Sequence, residues 1–284
     1  MNNYKISFEQ IRLQASLAEM MQALERGFNK FEIDFYLVGA VSRNVWMSGI
    51  NKIAPRRTTR DIDFGVFIND KGTYEALKEY LITKESFNEY KGNAFVLLWK
   101  DGTQVDLLPF GNIEDEDRRV TVTGTGYTSV HVDGFKEIYD EGLPEIELAE
   151  LTPFKVCTLP GIIVLKLIAW DDRPEQRRDD IKDISDIIHH FFTMNDNEIW
   201  NDHSDLFNGE DPDLPIISAR VIGRLIRKIA IRNERLYERL HKILADNAED
   251  AAESKMAEIM VEYFRTSAQE CTHLIREIQM GLNE

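Results

Sequence analysis

The chain has 284 residues, 43% of them hydrophobic and 30% charged, the balance of an ordinary soluble globular protein with room for one large domain or two smaller ones. Its 34 lysines and arginines stand against 50 aspartates and glutamates, and a formal charge of −16 argues against a general nucleic-acid-coating role, because phosphate backbones are held by clustered cations. The opening MNNYKISFEQ has no signal-peptide pattern, no run of about 18 apolar residues occurs, and Cys157 and Cys271 lie far apart without metal-ligand spacing; a cytoplasmic protein with free thiols and no membrane span is expected.

Residues 7–30 place Ile11, Leu13, Leu17, Met20, Met21, Leu24 and Phe28 at helical spacing, which predicts a packing helix. Asp34 to Val38 turns β-branched and aromatic, a short buried strand. Gly39-Ala40 breaks it, and Val41, Val45, Trp46 and Ile50 then resume a helical stripe. A strand, a Gly turn and a helix in succession present backbone N–H groups and a positive dipole end, a usual seat for phosphate. The loop at 51–60, NKIAPRRTTR, crowds Arg56, Arg57 and Arg60 ahead of a strand at Asp61–Ile68. These arginines read either as a solvated turn or as phosphate contacts. Strand side chains alternate with a period of two, so Asp61 and Asp63 point the same way, and binding a divalent metal is the commonest reason to hold two carboxylates together.

A helix at Tyr74–Leu81 and a strand at Ala94–Trp99 follow, then a turn at Asp101-Gly102 into a strand at Gln104–Phe110. Asp106 sits inside that apolar run. A buried aspartate is costly unless paired, hydrogen-bonded or metal-bound, and the alternative is an edge-strand residue facing water. Residues 119–150 read as short strands and turns covering one flank of the sheet, with TGTG at 123–126 a hairpin rather than a phosphate loop, because no helix follows it.

From Ile162 to Trp170 an apolar helix bears a single lysine, Lys166, and the charged break DDRPEQRRDD carries Arg173. The next helix, Ile181 to Phe192, has its core stripe at Ile181, Ile184, Ile187, Ile188 and Phe191, which leaves Lys182, Asp183 and Asp186 off that stripe. The bland reading of these acids is a solvated face near a helix start. Residues 195–215 form an acidic, turn-rich connection, and helices are expected at 216–231, 232–247 and 251–281.

Three strand-borne carboxylates, a Gly turn at a helix start and nearby cations are the parts for two-metal phosphoryl chemistry. In their order, Gly39-Ala40 with Arg43, then Asp61-Ile62-Asp63, then Asp106, these residues resemble the nucleotidyltransferases of the DNA-polymerase-beta type. Within that superfamily the chain looks most similar to the AbiEii-type toxin branch, through Lys166 in VLKLIAWDDR and Lys182-Asp183-x-x-Asp186 in IKDISDI, over residues 33–192. The resemblance implies an α+β fold: a small mixed nucleotidyltransferase sheet flanked by helices over 1–158, followed by a helical C-terminal lobe over 159–284. It implies transfer of a nucleoside monophosphate from a nucleoside triphosphate to an acceptor hydroxyl, on an RNA or tRNA end, a protein or a small molecule, with release of pyrophosphate and with a cognate antitoxin as a partner.

By the same resemblance Asp61, Asp63 and Asp106 would bind two Mg²⁺ ions, or Mn²⁺, and would act in catalysis together with Lys166 and Asp183. Gly39, Ala40, Ser42, Arg43, Arg60, Lys166, Arg173 and Asp186 would contact the nucleotide. Ala40 departs from the Ser or Gly of many relatives, so a serine hydroxyl to phosphate is missing there unless Ser42 supplies it. The alternatives are a non-catalytic nucleotide-binding or toxin–antitoxin interaction module, and a phosphatase or nuclease using similar carboxylates.

Overall fold

In the computed structural model, which describes residues 4–11, 17–56, 59, 61–149, 151, 153–207 and 212–284, apolar alternation at period two builds a mixed sheet in the first of two units, Met1–Thr158. Its elements in order are β1 (Tyr4–Ile6), α1 (Leu17–Lys30), β2 (Phe35–Val38), α2 (Gly39–Asn44), β3 (Asp61–Phe67), α3 (Lys71–Lys84), β4 (Asn88–Glu89), β5 (Val96–Leu98), β6 (Gln104–Phe110), β7 (Arg119–Thr121), β8 (Ser129–His131), α4 (Phe135–Glu141), β9 (Glu145–Leu148) and β10 (Phe154–Val156). The sheet order is β1-β9-β10-β2-β3-β6-β5-β4, and β7 pairs with β8 apart from it. At the centre β2 runs antiparallel to β3, and β3 parallel to β6.

The two faces of the central strands differ. Leu37, Ile62, Phe64, Val66, Val105 and Leu107 point to one side and are all buried. There α1 and α3 cover them: the Phe28 ring meets that of Phe64 at 6.1 Å, and the Tyr74 hydroxyl donates to the Leu107 carbonyl at 2.9 Å. Asp70 caps α3 by accepting from the Thr73 backbone N–H at 2.9 Å. Each large apolar side chain so enclosed contributes about 1.5–3 kcal/mol. On the opposite face Tyr36, Phe67 and Phe110 pack against Phe135 and Tyr139 of α4, and the Tyr36 hydroxyl donates to the Phe135 carbonyl at 2.9 Å. Gly65 permits this, since a Cβ there would stand 2.8 Å from the Tyr36 ring. These aromatic contacts lie on the Phe67 and Phe110 end of β3 and β6. Asp61, Asp63, Gln104 and Asp106 occupy the other end of the same face.

Helix α4 arises where only strands and turns are expected, because FKEIYDE sets Phe135, Ile138 and Tyr139 at helical spacing against the sheet. The TGTG stretch does join β7 and β8 as a hairpin. In the first predicted helix α1 begins at Leu17, Phe8–Ile11 form a turn, and Leu13 lies outside the described residues.

The second unit, Leu159–Glu284, is helical: α5 (Leu159–Asp172), α6 (Arg178–Asp202), α7 (Leu214–Ala230), α8 (Glu234–Ala248), α9 (Lys255–Phe264) and α10 (Ala268–Asn283). Helix α6 continues past the expected end at Phe192 through a kink at Asn195 (φ −132°), so residues 196–202 are helical and not a linker. Ile199, fully buried, anchors that extension. The single helix expected at 251–281 is two: Arg265 caps α9 in the left-handed region, and Ser267 with Glu270 forms a capping box that restarts the chain as α10. Among the described residues no helix is long and apolar enough to cross a membrane.

Candidate active site

The site is set by strand register. In the parallel ladder Asp61 pairs with Gln104 and Asp63 with Asp106, while across the antiparallel ladder Val38 pairs with Asp63. Paired residues share a face, so Asp61, Asp63 and Asp106 all lie on one side of the sheet, Asp61 exposed and the other two half-buried. Like charges on neighbouring strands destabilise a sheet. Asp63 and Asp106 nonetheless stand side by side on the face that also carries Asp61.

Beside them Gly39 ends β2 and starts α2 with φ +67°, and a Cβ at this position would lie 2.1 Å from Asp63 Oδ2. The carboxylate therefore lies against the first residue of a helix, whose positive end favours a negative charge. Ala40 follows, 8% exposed. Beyond α2 the chain widens into a π-helical segment, Val45–Ile50, with the Asn51 N–H bonded five residues back to the Trp46 carbonyl at 3.2 Å.

Two expected nucleotide contacts are turned inward. Ser42 is fully buried and donates to the Cys157 carbonyl at 2.9 Å; the Trp46 indole N–H donates to the same carbonyl at 2.7 Å. The Ser42 hydroxyl thus ties α2 to the strand beyond β2 and does not replace the hydroxyl missing at Ala40. Arg43 is 1% exposed, with Nη2 3.3 Å from Asn44 Oδ1, so its guanidinium lies inside the unit. Arg57 and Arg60 fall outside the described residues. Arg56 is exposed, and Thr59 donates to the Asp61 carbonyl at 3.2 Å.

In the second unit the charged residues singled out on α5 and α6 meet each other. Lys166, 7% exposed, places its ammonium 2.6 Å from Asp180 Oδ1 and 2.9 Å from Asp183 Oδ2. Asp183 is fully buried. Asp186 is buried too and accepts from the Tyr263 hydroxyl at 2.8 Å, with His190 Nε2 3.9 Å away. The expectation of a solvated acidic face is therefore corrected: α6 is buried beyond its isoleucine stripe, because α5 supplies Lys166 and α9 supplies Tyr263. Lys182, by contrast, is half-exposed and pairs with Glu262 at 2.8 Å. Asp180 was not singled out by sequence; its spacing of three residues from Asp183 was the available signal, since such residues share a helix face. Arg173 is exposed in the α5–α6 connection.

Among the described residues no three His, Cys, Asp or Glu side chains converge closely enough to hold a metal ion, so the three aspartates share a face and not a ready-made coordination sphere. Their oxygen-only donor set and the side-chain-free cradle at Gly39 nonetheless fit a hard divalent ion such as Mg²⁺ or Mn²⁺. His131 lies against Arg119, its Nε2 2.8 Å from the guanidinium.

No family model matches the sequence, and no curated protein matches it. Among solved structures the chain is similar to the antibiotic-resistance factor ANT(2'')-Ia, at 15% identity over 57% of this chain and 76% of that one, with a TM-score of 0.34. It is also similar to the CD-NTase CdnG of Bradyrhizobium diazoefficiens, solved in complex with GTP, at 13% identity over 99% of this chain and 86% of that one, with a TM-score of 0.30. Likenesses this loose decide neither fold nor chemistry, which are read from the residues of this chain.

Proposed function

We propose that the protein is a metal-dependent nucleotidyltransferase that moves a nucleoside monophosphate from a nucleoside triphosphate to an acceptor hydroxyl and releases pyrophosphate. The observation that carries this reading is the β3–β6 register, which sets Asp63 beside Asp106 and on the face of Asp61, next to the left-handed Gly39 at the start of α2. Asp61, Asp63 and Asp106 would hold Mg²⁺ or Mn²⁺, which when bound supplies positive charge to the triphosphate and to the departing pyrophosphate.

The chain's own groups divide the remaining work. Gly39 and Ala40 interpose little side chain, so a phosphate oxygen can approach the backbone N–H groups where the helix begins. Asp106 takes the proton leaving the acceptor hydroxyl on a carboxylate oxygen. As that hydroxyl oxygen bonds to the α-phosphorus, the bond from the α-phosphorus to the bridging oxygen breaks, and pyrophosphate leaves with the electron pair.

Lys166 receives no phosphate in this scheme. With Asp180 and Asp183 both on its ammonium and Arg177 also 3.8 Å from Asp180, the lysine is taken up within the helical unit, and its task is to hold α5 on α6. The order of the four sequence motifs supports the AbiEii-like branch, with a toxin role and a cognate antitoxin as the matching partner. The reaction type is tested by identifying the inorganic product: pyrophosphate supports transfer, whereas orthophosphate would assign the same carboxylates to hydrolysis.

A further inference from the structure

We propose that the aromatic surface formed by Phe192, Trp200 and Phe207 in the helical unit is a docking site for a basic, arginine- or lysine-bearing segment of a partner protein. Its occupant does not depend on the nucleotidyltransferase reading, whose aspartates lie in the other unit. The surface arises from the kink at Asn195, whose side-chain amide donates to the Phe191 carbonyl at 2.9 Å. Beyond the kink Ile199 is fully buried, so the next residue, about 100° further round the helix, is turned outward. Trp200 is accordingly 52% exposed. The chain then turns back through Ser204–Leu206 and lays the Phe207 ring on the indole, with centroids 3.8 Å apart and planes inclined by 15°. Phe192, from before the kink, meets the two rings edge-on at 6.2 and 6.1 Å.

One face of the indole is thus covered by Phe207, and the exposed part faces solvent. A lone exposed apolar side chain is ordinary. Three aromatic rings gathered around a tryptophan, with charged residues beside them, have instead the makeup of an interface core and its polar rim. Asp196, one helical turn before Trp200, is exposed, as are Glu198 and Asp202.

Charge selects the partner. No lysine or arginine occurs between Lys182 and Arg220, and seven acids fall between the kink and α7: Asp196, Glu198, Asp202, Asp205, Glu210, Asp211 and Asp213. Helix α7, which packs on α6, brings four bases, Arg220, Arg224, Arg227 and Lys228. Arg220 is held by Glu277 and Glu284, and Arg224 by Asp205 and Glu284, which leaves two bases against the other six acids of the stretch. Among the described residues the cation–π contacts fall on Phe31, Tyr74, Tyr80, Trp99 and Tyr139, and none on Trp200. Tryptophan is the aromatic side chain that attracts a cation most strongly, and a guanidinium or ammonium over this indole would also meet the carboxylates of α6. A second copy of this chain, at −16, would bring acids against acids, and a nucleic acid or an anionic membrane would bring phosphates.

The test titrates the full chain into a fluorescein-labelled peptide of alternating arginine and serine, read by fluorescence anisotropy, with an oligoribonucleotide and phosphatidylglycerol vesicles as comparison probes. Because the whole chain is acidic, the deciding variant, Trp200→Ala, changes no charge, and circular dichroism verifies its fold. The expected result is peptide binding by the wild type, about tenfold weaker binding by Trp200→Ala, and binding within about threefold of wild type by Trp200→Phe, which keeps an aromatic face. Asp196→Asn should weaken binding as well, whereas Glu89→Gln, at an exposed acid of the other unit, should leave it unchanged. Equal binding by wild type and Trp200→Ala would overturn the proposal, since the general acidity of the chain would then account for it. Absence of peptide binding by the wild type would overturn it too, as would Trp200-dependent binding of the oligoribonucleotide or the vesicles, or a Trp200-dependent dimer in sedimentation. Should Trp200→Ala misfold, Asp196→Asn and Glu89→Gln decide: a loss confined to Asp196→Asn supports the site, and equal effects of the two contradict it.

Discussion

Gly39 and Asp63 are fitted to one another: the glycine's left-handed turn, with φ +67°, leaves the space that the Asp63 carboxylate fills, 2.1 Å from where a Cβ would be. Gly39→Ala therefore brings backbone strain and a clash together. It should destabilise the protein by about 1–3 kcal/mol, read from the urea midpoint, and weaken triphosphate binding. Asp63→Ala in the same chain removes the carboxylate the methyl would strike, so the double variant should be more stable than the sum of the two single effects predicts.

The buried Lys166 cluster predicts a stability effect of another kind. Lys166→Met removes the ammonium 2.9 Å from the fully buried Asp183, and removing one partner of a buried pair costs about 3–5 kcal/mol. Chemical denaturation checks this. Adding Asp180→Asn and Asp183→Asn to Lys166→Met should recover part of the loss, because the two carboxylates that faced the ammonium are neutralised with it.

Much of the candidate catalytic face was legible in the sequence because strands announce their faces. Asp61 and Asp63 two residues apart, and Asp106 inside an apolar run after the Asp101-Gly102 turn, belong to β3 and β6, and a period of two leaves no other orientation once the strands form. That Asp63 and Asp106 stand in register, with Gln104 beside Asp61, depends on which strands neighbour one another, which no local pattern encodes. Helix α6 shows the opposite limit. Its isoleucine stripe is plain, but burial of Asp180, Asp183 and Asp186 depends on Lys166 and Tyr263 arriving from other helices. The break between α9 and α10 was readable, since Ser267-x-x-Glu270 is a capping-box pattern.

Cys157 is fully buried and its burial pushes the thiol well above its ordinary value; Cys271, also buried, is pushed up to about 11. A thiol must ionise to react, so neither should react with a disulfide reagent at pH 8 until the protein unfolds. Because the folded thiols hold their protons more tightly than unfolded ones, whose pKa is about 8.5, their contribution to stability is complete below that pH and is lost as pH rises above it. A Cys157→Ala, Cys271→Ala variant should show a shallower loss of stability at alkaline pH in denaturant titrations.

The central claim is that the aspartates on the shared face of β3 and β6 carry nucleotidyl transfer. Its most direct measurement compares wild type, Asp61→Ala and Asp63→Ala for transfer of label from α-³²P-labelled nucleoside triphosphates in the presence of Mg²⁺, with folding of each variant verified by circular dichroism. The account predicts metal-dependent transfer by the wild type and its abolition in both folded variants; undiminished transfer by both variants would contradict it.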